Sequence, residues 1–216
     1  KGFDIVGIDN DMRSYFFGPS GSVKNNLNRL QSSLKNFDYF DSDIRNLDVL
    51  LSIFKQYSFN AIIHTAAQPS HDWAKKEPLC DFTVNALATL NLLELARQFC
   101  PEAPFIFTST NKVYGDAPNY IKLKELETRW EYDDPKYING IAEDLSIDQC
   151  MHSLFGASKV SADVMTQEYG RYFKMPTVCY RGGCLTGPQH AGVELHGFLS
   201  YLIHAAKNNI PYKIYG

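Results

Sequence analysis

Short apolar runs alternate along the chain with longer segments of helical spacing. Phe3-Asp4-Ile5-Val6-Gly7-Ile8-Asp9 alternates into a mostly apolar strand that stops at an acid. Residues 10–35 are polar and rich in Gly, Ser and Asn, with weak helical spacing over 27–34. A second short strand is predicted at 37–40, running into Asp41-Ser42-Asp43-Ile44-Arg45-Asn46. Over 47–57, Leu47, Leu50, Leu51 and Phe54 form a helical stripe, with Asn46 placed to cap it. Ala61-Ile62-Ile63 predicts a short buried strand. Pro78 opens a long helix to about residue 100, since proline suits a first helical turn. Phe82, Ala86, Leu90 and Leu93 mark one face of it, and Leu87, Leu92 and Leu95 widen that face.

The next apolar run, Pro104-Phe105-Ile106-Phe107, ends in hydroxyls: Thr108-Ser109-Thr110. It reads as a buried parallel strand. Residues 116–150 read as a long irregular segment carrying Trp130, Tyr132 and Tyr137. A helix is predicted over 155–173, with Met165, Tyr169 and Tyr172 expected in the core; then come a strand at 177–180 and a last helix at 198–207. Strands alternating with helices predict a parallel sheet covered on both faces. In such sheets ligands sit beyond the carboxyl ends of the strands. The chemistry-bearing residues of 108–115 and the lysine of Phe155-Gly156-Ala157-Ser158-Lys159 fall there.

Composition narrows the function classes. An apolar fraction of 44% over 216 residues supports a core of one large α/β domain, or one and a part. A net charge of -3 gives no electrostatic reason to expect nucleic acid or an anionic membrane as partner. The longest apolar runs fall short of the roughly 20 residues of a membrane span. The five cysteines are odd in number and form no C-x-x-C pair, which favours a reducing cytoplasm over a disulfide framework. The histidines show no H-x-x-x-H pair, so no metal site is expected.

Three residue groups suggest a dinucleotide. An acid ending the first strand, Asp9, can accept from ribose hydroxyls and would repel a 2′-phosphate; it can equally end a strand for turn reasons. Asp43 can meet an adenine amino group while Ile44 packs on the ring. Small residues after a strand, Thr65-Ala66-Ala67, let a cofactor approach the backbone. His64 reads as a satisfied core histidine. Asn85 reads either as an exposed position or as a cofactor contact.

Together these residues resemble the extended short-chain dehydrogenase/reductase family, the NAD-dependent epimerases and dehydratases. The resemblance covers essentially the whole chain. It is carried by Asp9, Asp43-Ile44, His64-Thr65-Ala66-Ala67-Gln68, Asn85, Ser109-Thr110-x-x-Val113-Tyr114-Gly115, Lys159 and Thr186-Gly187-Pro188. Residues 109–116 with Glu125-x-Glu127-Thr128-Arg129 are most similar to the CDP-paratose 2-epimerases, also called CDP-tyvelose epimerases. The resemblance implies a Rossmann-like doubly wound sheet over 1–188 and the start of a substrate lobe over 189–216. The family's G-x-x-G-x-x-G loop does not occur here. The chain, opening on Lys1 without methionine and closing on a strand expected at 212–216, is expected to lack the family's first strand, loop and helix and most of its second lobe.

The implied activity is NAD-dependent epimerisation of a nucleotide sugar, with a CDP-deoxysugar favoured, by hydride removal and return. Alternatives are another sugar-nucleotide oxidoreductase, or a silent NAD-binding sensor or scaffold. The implied cofactor residues are Asp9, Asn10, Asp43, Ile44, Ala66, Ala67, Gln68, Asn85, Thr108 and Lys159. The implied substrate residues are Thr110, Asn111 and Cys184, the last at a position where relatives carry asparagine. Thr110 matches the family's sugar-steering hydroxyl and Lys159 its lysine. The family's tyrosine acid/base is Phe155 here, which keeps the shape and loses the proton. His152, Tyr137 or a water on Thr110 are the candidate replacements. Asn111 and Lys112 stand where 4,6-dehydratases carry Asp-Glu, which argues against dehydration. A homodimer through helices 78–100 and 155–173 is expected.

Overall fold

The computed structural model describes residues 2–194 and 196–213. In order, the elements are β1 (Ile5–Asp9), α1 (Met12–Phe17), α2 (Lys24–Ser33), β2 (Phe37–Asp41), α3 (Leu47–Gln56), β3 (Ile62–His64), α4 (His71–Lys76) and α5 (Pro78–Phe82). A π turn (Thr83–Leu87) joins α5 to α6 (Ala88–Phe99). The chain continues with β4 (Phe105–Thr110), β5 (Leu123–Glu125), β6 (Trp130–Tyr132), α7 (Ser153–Phe173), β7 (Thr177–Gly182) and α8 (Phe198–Lys207). The strand expected at 212–216 falls partly on Ile214–Gly216, outside the described residues.

The architecture is α/β with parallel pairing, as the alternation of elements predicts. β4 pairs in parallel with β3 on one side and β7 on the other, and β1 pairs in parallel with β2. The pairing is divided: β1-β2 form one sheet and β3-β4-β7 another. A cavity reaches between β1 and β3, lined by Val6 and Ile8 from one and Ile62 and Ile63 from the other. This division corrects the expectation of a buried strand at 61–63. Ile63 is 67% exposed, because β3 has a ladder partner only on its β4 side.

The core lies where α3, α6 and α7 meet β4. Leu50, Phe54, Leu92, Leu93, Leu95, Phe105, Phe107, Ala162 and Tyr169 form one buried cluster. Burying a side chain of this size is worth roughly 1.5–3 kcal/mol. Asn46 caps α3 by accepting from the Val49 amide. The helical stripe there is Leu50, Ile53 and Phe54, while Leu47 is exposed.

The long helix keeps most of its expected face but departs from it at Phe82 and Leu87. The π turn adds a residue to one turn and rotates the remainder of the helix. Phe82, before the turn, and Leu87, at its end, are exposed, while Ala86, Leu92, Leu93 and Leu95 are buried as expected. By length and composition, Pro78–Phe99 could cross a membrane, with a mean hydropathy of 1.2 in its most apolar window. However, 56% of that window is buried inside the protein, which accounts for its apolar content. On α7, Tyr169 is buried as expected but Tyr172 is 80% exposed. Two elements arise where the sequence pattern predicts none. α1 forms within the polar stretch after β1, anchored by Phe16 and Trp73. The segment after Gly115 contains an antiparallel β5-β6 pair.

Candidate active site

Because the parallel strands β1, β3, β4 and β7 end at one edge, their carboxyl termini can share a cleft. A cavity of about 1250 Å³ lies there. One end is lined by Asp9, Asn10, Ser42, Asp43 and Ile44, and the middle by Thr65, Ala66, Ala67 and Thr108. The other end is lined by Thr110, Asn111, Lys112, His71, Phe155 and Lys159, with Cys184 beside them.

At the first end, Asp9 Oδ1 accepts from the Asp11 amide at 2.6 Å. Burial raises the Asp9 pKa, and that amide works in the opposite direction. Asn10 Nδ2 donates to Asp43 at 3.1 Å, tying the ends of β1 and β2 together. Asp43 is also held by Arg45, at 2.6 Å. Burial pushes the Asp43 carboxyl up, but Arg45 and Asn10 outweigh it and hold it below its ordinary range. A carboxyl group at the end of β1 and another just beyond β2, with apolar Ile44 beside them, suit a nucleoside with a free diol.

At the second end, α7 delivers Lys159 into the sheet edge. The lysine is only 3% exposed; Nζ donates to Thr108 O at 3.0 Å and stands 4.2 Å above the Phe107 ring. Burial pushes its pKa down to about 8, with Asp163 acting against the fall. Phe155 lies one turn earlier on α7 and is buried. Thr110 ends β4, accepting from the Lys112 amide at 3.2 Å, so its hydroxyl is fixed at the cavity rim. Thr108 Oγ1 donates to His64 O, joining β3 and β4.

Two of the expected cofactor contacts are engaged within the protein. Asn85 is buried away from the cavity: Oδ1 accepts from the Gln68 amide, and Nδ2 donates to Gln68 O, Asp81 and Ser158. The Gln68 side chain is likewise committed, to Ser70 and Asp81. Together they clamp the loop after β3 onto the π turn and α7. Two expected replacements for the missing tyrosine also lie elsewhere. His152 Nε2 binds Ile147 O at 2.7 Å beneath the turn, and Tyr137 packs on Tyr132; neither lines the cavity. His64 is the satisfied core residue expected, bonded to Thr89 at 2.9 Å and driven by burial to a pKa of about 3.

The structure adds residues with no sequence signal. His71 opens α4, its Nδ1 2.9 Å from Ser153 Oγ. Behind Thr110, Asp163 is buried and takes Arg181 in a bidentate pair, with Ser109 donating at 2.5 Å. Arg181 also donates to the Tyr114 hydroxyl at 3.0 Å. This network fixes the ends of β4 and β7 relative to α7. Among the described residues no group of acids, cysteines and histidines could hold a metal ion.

The model of the NAD dependent epimerase/dehydratase family matches residues 2–216. CDP-paratose 2-epimerase of Salmonella typhi is 34% identical over the whole chain, which covers 62% of that protein. UDP-glucuronate 4-epimerase of Thermodesulfobacterium geofontis is 26% identical over the whole chain, covering 58% of it. Among solved structures, UDP-glucuronic acid 4-epimerase from Bacillus cereus in complex with NAD superposes with a TM-score of 0.70 at 23% identity. That match spans all of this chain and 58% of the other. The chain thus spans less than two thirds of the length of each of these relatives.

Proposed function

The chain belongs to the NAD dependent epimerase/dehydratase family, and from that premise we propose that it serves an NAD-dependent nucleotide-sugar epimerase acting on a CDP-deoxysugar. The observation that carries this reading is the single cavity with Asp9 and Asp43 at one end and Thr110, Phe155 and Lys159 at the other. The 34% identity to a CDP-paratose 2-epimerase supports the choice of sugar nucleotide.

Bound NAD would supply the acceptor and donor for a hydride at a sugar carbon. The chain's own residues do the rest. Asp9 accepts from the adenosine ribose hydroxyls and disfavours a 2′-phosphate. Asp43 and Asn10 meet the adenine edge, with Ile44 against the ring face. Ala66 and Ala67 admit the middle of the cofactor close to the backbone. Lys159, held on Thr108 O, supplies positive charge beside the nicotinamide ribose and favours loss of a proton from a neighbouring hydroxyl. Thr110 steers the sugar oxygen, with Asn111 and Cys184 at its flanks. Asn111 cannot serve as the acid that water elimination requires, so the chemistry stops at epimerisation.

Exposed Leu79, Phe82, Leu87, Val164 and Tyr172 on α5, the π turn and α7 support a homodimer through these helices; a monomer by sedimentation contradicts it. The function is tested by denaturing the purified full-length protein and measuring released NAD, then incubating it with CDP-paratose or CDP-tyvelose. Released NAD with interconversion of the two sugars is expected. Bound NAD without interconversion would favour a sensor.

A further inference from the structure

The tyrosine position of the family pattern is occupied by Phe155, and a protic side chain stands against that ring. His71 packs edge-on to Phe155, ring centroids 4.9 Å apart and planes at 70°. Its Nδ1 lies 2.9 Å from Ser153 Oγ. His71 and Phe155 both line the cavity with Thr110, Lys112 and Lys159. We propose that His71, oriented by Ser153, is the proton acceptor and donor for the reacting sugar hydroxyl. The proposal rests on the epimerase reading above.

Ser153 is built for an orienting role. Its Oγ accepts from the Gly156 amide at 3.2 Å, which fixes it in the first turn of α7. Its backbone is held at φ 62, a left-handed conformation uncommon outside glycine and one that surrounding structure must impose. With Nδ1–H donating to this oxygen, the Nε2 lone pair remains available as a base. Among the described residues Nε2 has no protein hydrogen bond. Partial burial lowers the imidazole pKa below its ordinary value. The ammonium of Lys112, on the turn after β4, acts in the same direction; Asp72 on α4 and Asp81 on α5 act against it, and α7 contributes the uncharged Ser153 and Phe155. The net result is a neutral imidazole at pH 7.

The step balances. The sugar O–H bond breaks and its proton goes to Nε2. The carbon–oxygen double bond forms as the C–H electron pair leaves as hydride to the nicotinamide, oxidising the sugar carbon and reducing the cofactor. On return to the opposite face, the imidazolium gives its proton back to the oxygen. Proton transfer by a placed side chain is worth about 10²–10⁴-fold in rate.

The test uses the full-length protein with NAD and CDP-paratose. His71→Asn is expected to lower single-turnover epimerisation by about 10²-fold or more, with nucleotide-sugar affinity by calorimetry changed less than about threefold. It should also abolish the acidic limb of the rate profile below pH about 6.5, the ordinary histidine value. A second readout needs no turnover. In the unaltered protein without sugar, the His71 ring followed by NMR should titrate below its ordinary value, and Ser153→Ala should move that titration. Epimerisation by His71→Asn within about threefold of the parent, or a His71 titration indifferent to Ser153→Ala, overturns the assignment. NAD binding without epimerisation by the unaltered protein overturns the epimerase reading itself, and the assignment with it.

Discussion

Replacing Lys159 with methionine separates what this lysine does for the fold from what it does for the chemistry. Its ammonium is almost fully buried and its pKa falls from 10.5 to about 8, chiefly through burial. At about 1.4 kcal/mol per pKa unit, carrying that charge at pH 7 costs the folded state roughly 3 kcal/mol. The direction comes from proton binding. Between pH about 8 and 10.5 the unfolded lysine is protonated and the folded one is not, so stability rises with pH across that window. Below pH 8 the cost is present in full. Methionine matches the aliphatic stem and removes the charge, at the loss of the bond to Thr108 O. A charged hydrogen bond of this kind is worth about 1.5–3 kcal/mol. Lys159→Met should therefore leave stability at pH 7 equal to the parent's or higher by about 1 kcal/mol. Between pH 8 and 10.5 the parent should gain roughly 3 kcal/mol on the variant. Urea unfolding at pH 7, 8, 9 and 10 reads both. A parallel pH dependence in the two proteins would refute this, because the folded lysine would then keep its ordinary affinity for protons. A destabilisation above about 3 kcal/mol at pH 7 would show that the ammonium holds the sheet edge together.

Three further outcomes are expected. Asp163→Leu leaves the Arg181 guanidinium on β7 without its carboxylate partner, costing about 3–5 kcal/mol; adding Arg181→Met should recover most of it, read by urea denaturation. Asn85→Ala strands the Gln68 backbone and Ser158, and should lower stability by about 2–4 kcal/mol without a direct change in nucleotide contacts. Burial holds the folded His64 pKa near 3 against about 6.5 unfolded, so the unfolded chain binds the extra proton between those values and stability falls as pH drops from 6.5. The loss should reach about 2 kcal/mol at pH 5, and unfolding of His64→Gln over the same range should lack that component.

Much of the frame is legible in the sequence because periodicity reports burial directly. Asn46 before an apolar stripe marks the α3 cap, and hydroxyls closing an apolar run mark the end of β4. The misses have physical causes. A π turn changes helical phase without any residue that announces it, so regular spacing wrongly turns Leu87 inward. A strand's burial depends on its neighbours, so Ile63 reads as core although β1 does not pair with β3 to cover it. Gln68 and Asn85 are legible as important but not in kind: buried amides that clamp backbone and amides that touch a cofactor look alike in sequence. His71 carries no pattern, since its meaning comes from contact with residues 82 and 84 positions later in the chain, Ser153 and Phe155.

If the cleft ending at Thr110, Phe155 and Lys159 supports removal and return of a hydride at one sugar carbon, no ring hydrogen bound to carbon exchanges with solvent. Epimerisation of a CDP-deoxysugar perdeuterated on its ring, followed by mass spectrometry of the product, is the decisive experiment. The expected product is the epimer with every ring deuterium retained. A product that has exchanged one deuterium for a solvent proton would contradict hydride return.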